Sequence, residues 1–171
     1  MSEFLNITDK SDEKTTDVSQ QYLTFLLGED IYGVDILRVQ EVRGWTKVRE
    51  IPNTPEYVKG VLDLRGTIVP IIDLRIRLSI EAVEYTPITV VIVLAIEVEN
   101  EKYIVGVVVD TVSDVLDVVK SEIKKAPNFG TKVETKFIDG MVMADAGMVV
   151  LMDIDKMLNP DELHALKDMA E

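Results

Sequence analysis

The only histidine, His164, lies between Leu163 and Ala165 in a stretch that reads as helix, away from any segment that could line a pocket. A general base needs a reacting group within hydrogen-bond reach, so this imidazole reads as a solvated helix residue. Asp153 and Asp155 in "DIDKMLNPDE" begin like a calcium loop, but Met157 stands where an oxygen ligand belongs and Leu158 where the turn glycine belongs. The chain has no cysteine, which excludes disulfides, thiolate zinc, iron–sulfur ligation and a thiol nucleophile. No glycine pattern forms a phosphate cradle. None of the 31 Asp and Glu residues is marked by spacing as an acid–base pair. Arg65 does stand out, a guanidinium at the apex of the apolar hairpin "GVLDLRGTIVPIIDL", residues 60–74. It could anchor a protein interface. It could equally close a salt bridge inside the fold, with Asp63 or Glu41 as partner.

Strands must position these groups. From Gln21 to Asp153, short runs of Val, Ile and Leu are broken at Gly28-Glu29-Asp30, Pro52-Asn53-Thr54-Pro55, Arg65-Gly66-Thr67, Glu99-Asn100-Glu101 and Ala146-Gly147. That spacing predicts an all-β fold of small barrels or a sandwich. Gly66 can supply the positive φ of a tight turn. Pro70, lacking an N–H, suits an edge or a bulge. Helix signals are few. Thr54 and Pro55 could open one turn over 55–58. Asn159-Pro160-Asp161-Glu162 supplies an N-cap, an N1 proline and an N3 glutamate, and Leu163, Leu166, Met169 and Ala170 then share a face. A C-terminal helix over 159–171, packed on the body, is predicted.

The chain also repeats itself. "IYGVDILRVQEV" (31–42) lies over "IVGVVVDTVSDV" (104–115) with five identities in twelve positions, at an offset of 73. Pro52-Asn53 recurs as Pro127-Asn128 at an offset of 75, and the hairpin at 60–74 recurs as "GMVMADAGMVVLMDI" (140–154) at an offset of 80. Glycines and prolines match as well as valines, so one β unit is used twice. The copy carries Asp145 where the first unit carries Arg65; the fold therefore does not require arginine there. Each unit holds about five strands of ordinary length, which must curl into a barrel or pack on a twin. Two barrels dividing near 79–87 are expected, and the first strand or two of each could cross to the other unit.

The formal net charge of −13 argues against nucleic acid and anionic membrane surfaces as partners. The longest apolar run, residues 88–96, is far short of the roughly 20 residues of a spanning helix, so no membrane insertion is expected. Residues 1–20 are charged, lack aliphatic periodicity and carry no signal-peptide pattern, and read as a flexible tail.

"GEDIYGVDILRVQEVRG", "IPNTPEYVKGVLDLRGTIVPIIDLR" and "VGVVVDTVSDVLDV" together resemble the CheW family of bacterial chemotaxis coupling proteins, in register from about Gln21 to Leu158. The family's LRG turn is Leu64-Arg65-Gly66, with Asp63 in place of its usual asparagine. The resemblance implies a CheW-like domain over 21–158, made of two SH3-like five-stranded barrels (about 21–80 and about 81–158). It implies a cytoplasmic adaptor with no catalytic activity and no cofactor. The implied partners are the regulatory domain of the CheA histidine kinase, itself CheW-like, and the cytoplasmic tip of methyl-accepting chemoreceptors. Family contact positions match Val39, Glu41, Gly60, Arg65, Val90 and Val115, without a division between kinase and receptor. Three other readings differ in kind: a regulatory piece of a larger kinase, a small-molecule-binding barrel, and an acidic hydrolase. Nothing in the chain resembles an ATP-binding or phosphotransfer domain, and a chain of this length reads as free-standing.

Overall fold

The structure, a computed structural model, describes residues 19–80, 84–125 and 135–170. Among these are ten strands: β1 (Ser19–Leu27), β2 (Asp30–Asp35), β3 (Val39–Gly44), β4 (Val58–Leu64), β5 (Thr67–Asp73), β6 (Val90–Val98), β7 (Glu101–Val109), β8 (Thr111–Val119), β9 (Ile138–Ala144) and β10 (Gly147–Met152). Two α-helices accompany them, α1 (Leu74–Arg77) and α2 (Pro160–Ala170). Among the described residues no helix is long and apolar enough to cross a membrane.

The strands form two five-stranded sheets, ordered β8-β1-β2-β10-β9 and β3-β6-β7-β5-β4. Written in repeat units, with β6 to β10 as the second copies of β1 to β5, the two orders are the same. Each sheet takes its first two strands from one repeat and its last three from the other. The expected division near residues 79–87 is therefore not the division between sheets: β1 and β2 leave the first half, and β6 and β7 leave the second. The links explain why. Asp110 alone separates β7 from β8, and a hairpin needs at least two residues to reverse. The chain runs on into the other sheet. The link from β2 to β3 is a single 3-10 turn, Ile36–Arg38, and it makes the equivalent crossing.

The repeat extends to closure. Arg49 bridges Val61 and Lys124 bridges Met141, at the same offsets of 75 and 80 seen in the sequence, so both sheets curl in the same way. The shared glycines have a shared cause. Gly33 and Gly106 face Leu151 and Ile71 across the two parallel pairs, and a Cβ at Gly106 would collide with Ile71. One small cluster fills each sheet's interior, Val69, Ile71, Val91 and Val108 in one and Tyr22, Val118, Val149 and Leu151 in the other. The large core joins both sheets through Phe25, Tyr32, Ile72, Ile92, Leu94 and Val107, and Leu163 and Leu166 of α2 add to it. Each such buried side chain contributes about 1.5–3 kcal/mol.

Three local expectations change. Ser19 and Gln20 belong to β1, paired with Val119 and Val118, so the predicted tail loses its last two residues; its remainder, 1–18, lies outside the described residues. Thr54 caps no helix: its hydroxyl donates to Ile51 O, and 55–58 is a single turn closed by Val58 N to Pro55 O. Pro70 sits in a central strand, opposite Val61 of β4, and pairing with β7 begins only at Ile71. Its missing N–H therefore costs no ladder bond. The C-terminal helix forms as predicted, with Asn159 and Glu162 exchanging side-chain-to-backbone hydrogen bonds of 2.8 and 2.9 Å.

Candidate protein-interaction site

Leu64 pairs with Thr67, which leaves Arg65 and Gly66 as a two-residue turn. Both have positive φ, 54° and 87°, the mirror-image turn whose twist suits a hairpin. Asp63 Oδ1 accepts the Gly66 N–H at 2.8 Å, so a carboxylate serves the turn where an amide would. Gly66 was the expected positive-φ residue; Arg65 shares that backbone, which displays its side chain outward.

The Arg65 guanidinium reaches Glu41 on β3, with Nη2 donating to Oε1 at 2.8 Å. Arg65's side chain is 79% exposed and Glu41's is 24%. The other carboxylate oxygen of Glu41 is buried without a hydrogen bond, facing Arg43 Nη1 at 3.8 Å. An exposed pair of this kind is worth about 0–1 kcal/mol. Of the two sequence readings the internal salt bridge, with Glu41, is present, and it contributes little to the fold.

The other expected positions are spread more widely. Val39 and Val90 lie at opposite ends of the β3–β6 ladder, opposite Leu94 and Gly44, and both pack on the large core. Val115 is an exposed apolar residue on β8, in the other sheet. Gly60 is buried, with φ 146°, and a Cβ there would run into the carbonyl of Arg49. Its glycine is explained by closure of the sheet, since Arg49 and Val61 exchange backbone hydrogen bonds beside it.

Two ion clusters at the crossovers hold this surface, and sequence reasoning missed both. Arg75 is 1% exposed. It makes two side-chain hydrogen bonds to Asp73 and one to Asp110 Oδ1 at 2.9 Å. Asp110 Oδ2 accepts from Gly28 N of the other sheet, and Tyr85 OH donates to Asp73 at 2.8 Å. Burial disfavours the Arg75 cation, but the hydrogen bonds to Asp73 and Asp110 outweigh it and leave the proton held more tightly than usual. Burial, then the bond to Asp73, pushes the Tyr85 phenol well above its ordinary range. At the other crossover Arg38 forms a bidentate pair with Asp155, at 2.8 and 2.7 Å. Asp155 also accepts from Glu97 N, and Arg38 donates to Ala95 O. The clusters sit at equivalent places with opposite polarity: Asp73 and Asp153 each accept from the backbone N–H two residues on, and those residues are Arg75 and Asp155. The matched Asp73 and Asp153, each followed at +2 by a charge, carried that signal in the sequence.

Among the described residues no group of His, Asp and Glu could hold a metal ion. The exposed large apolar side chains include Leu37 and Val42, close to Glu41 in sequence, and Met143 and Met148 on the second hairpin.

The family model for the CheW-like domain matches residues 21–162. The chain is 44% identical over 154 residues to a chemotaxis protein CheW of Klebsiella aerogenes, covering 90% of each. It is 33% identical over 150 residues to a chemotaxis protein CheW of Rhizobium meliloti, covering 88% of this chain and 94% of the relative. The crystal structure of the scaffolding protein TtCheW from Thermoanaerobacter tengcongensis superposes with a TM-score of 0.74 at 29% identity, covering 85% of this chain and 91% of that one.

Proposed function

The chain belongs to the CheW-like family, and on that premise we propose that it is a cytoplasmic adaptor coupling transmembrane chemoreceptors to a CheA-type histidine kinase. It is a chemotaxis scaffold and not an enzyme, as its relatives are. The observation that carries the finer reading is the Arg65–Glu41 pair: a rigid turn holds a charge outward at little benefit to the fold.

The kinase's regulatory domain is expected to dock on a barrel end, since a like barrel can pair with it pseudo-symmetrically. A receptor tip, an antiparallel helical hairpin with an apolar stripe and flanking charges, suits a surface of part-buried Val39 and Val90 and exposed Val115 set among ions. Val39, Glu41, Arg65, Val90 and Val115 are the proposed contact positions. Gly60 supports them by letting β4 close on Arg49.

Co-purification of the chain with a CheA-type kinase and a receptor hairpin fragment tests the proposal. A ternary complex, with kinase output raised only when all three are present, is the expected result. Failure to retain either partner would leave the scaffold without this role.

A further inference from the structure

A groove of about 640 Å³ lies beside the β9–β10 hairpin, lined by Met141, Val142, Met143 and Met148 with Lys124 and Lys125 at its rim. Met143 and Met148 face each other across the two strands and are 71% and 51% exposed. Methionine is the side chain best able to mould itself to an apolar guest, and a patch of this kind on a charged surface marks a docking place. The charged lining is net basic on an acidic molecule: Lys124 and Lys125 against Glu122, with Lys120 close by in sequence, in a chain of net charge −13.

We propose that this groove takes the chain's own N-terminal segment, with Phe4, Leu5 and Ile7 in the groove and the surrounding acids against the lysines. Residues 1–18 carry Glu3, Asp9, Asp12, Glu13 and Asp17 against Lys10 and Lys14, the opposite sign to the rim. Phe4, Leu5 and Ile7 are a compact apolar set with no strand or helix period, too small to build a core of its own and large enough to fill a methionine groove.

The point of entry fits. Strand β1 begins at Ser19 and runs antiparallel to β8, with Ser19 opposite Val119. Ser19, to which the preceding segment is tethered, therefore lies beside the residue that opens the 3-10 turn Lys120–Glu122, whose Ser121 and Glu122 line the groove. Lys124 is five residues beyond Val119, at most about 18 Å away at full extension. Eleven residues separate Ile7 from Ser19, and the twelve steps between them reach about 43 Å at most. Seated there, the segment covers the end of the first sheet's barrel and competes with whatever else docks on it, an activity separate from the Arg65 surface of the other sheet.

Because the chain lacks cysteine, Asn6→Cys in the full-length protein carries a single nitroxide. The readout is paramagnetic broadening of ¹³C-labelled methionine methyls, with Met169 of α2, the helix packed on β5 of the other sheet, as reference. Met143 and Met148 signals should fall at least threefold relative to the reduced label, and the reference should not. Phe4→Ser/Leu5→Ser should restore the signals. Lys124→Glu/Lys125→Glu, at exposed positions, should restore them in part and leave the remaining spectrum intact. Equal intensities with and without the radical would overturn the proposal. So would broadening seen only between labelled and unlabelled chains on mixing, which would assign the groove to a second copy. Full broadening after the lysine reversal would overturn the ionic half of the argument.

Discussion

Arg65 and Glu41 are joined at 2.8 Å across the gap between a hairpin apex and the outer strand of the same sheet. The carboxylate is the more buried partner and keeps one oxygen without a hydrogen bond. The arginine is the group the fold can spare.

Arg65→Asp should leave circular dichroism and melting near wild type. Aspartate tolerates the positive φ of that turn, and surface changes usually stay within about 0.5 kcal/mol. Ternary-complex formation should fall far more, because a reversed charge at an interface costs several kcal/mol. Melting and assembly are to be measured on one preparation. Binding that drops only in step with the unfolded fraction would make Arg65 a fold residue.

Arg75→Met and Arg38→Met should differ sharply in urea unfolding. The first strands the buried carboxylate of Asp73, which costs about 3–5 kcal/mol. The second breaks a half-exposed pair and should cost about 1 kcal/mol. Equal costs would mean that the buried cluster is no stronger a tie than the exposed one.

Stability should decline between pH 10 and about 12. Burial, then its hydrogen bond to Glu162, pushes Tyr57 up to about 12, and burial, then Asp30, does the same for Tyr32. The folded state holds these protons after the unfolded chain, at the usual phenol value near 10, has begun to lose them. Their contribution is complete below pH 10 and is lost as pH rises through the folded values. Tyrosinate absorbance near 295 nm should show late-titrating phenols until unfolding. Tyr57→Phe should flatten the loss, and an unchanged pH profile in that variant would remove Tyr57 from the account.

Gly60→Ala should destabilise by about 2 kcal/mol or more, through backbone strain at φ 146° and a clash with Arg49. Hydrogen exchange would see it locally, as lost protection of the Arg49 and Val61 amides. A variant as stable as wild type, yet unable to bind partners, would return Gly60 to the contact surface.

The strands, the hairpin turns and the duplication were legible because they are written locally, in alternating valines and in glycines at matched places. The exchange of β1–β2 for β6–β7 was not. Strand partners are chosen by distant chain, and one Val-rich strand offers nearly the same edge as its copy. The deciding feature was the single residue Asp110 between β7 and β8, a linker length and not a pattern. The Arg65–Glu41 pair was among the alternatives the sequence left open. The crossover ions were harder: Arg75 reads as surface because arginine almost always is, and only Asp73, Asp110 and Tyr85 together make its burial tolerable.

The strand exchange also sets a timetable for synthesis. When β7 leaves the ribosome at Val109, the sheet β3-β6-β7-β5-β4 has all of its strands. The β1–β2 hairpin, made first, still lacks β8, β9 and β10, the last of which ends at Met152. The earliest-made strands are thus the last to be enclosed: the edge of β1 stays open until β8 ends at Val119, and that of β2 until β10 ends at Met152. That interval is when the nascent chain is most exposed to pairing with a wrong edge, and it closes only when β10 is complete at Met152.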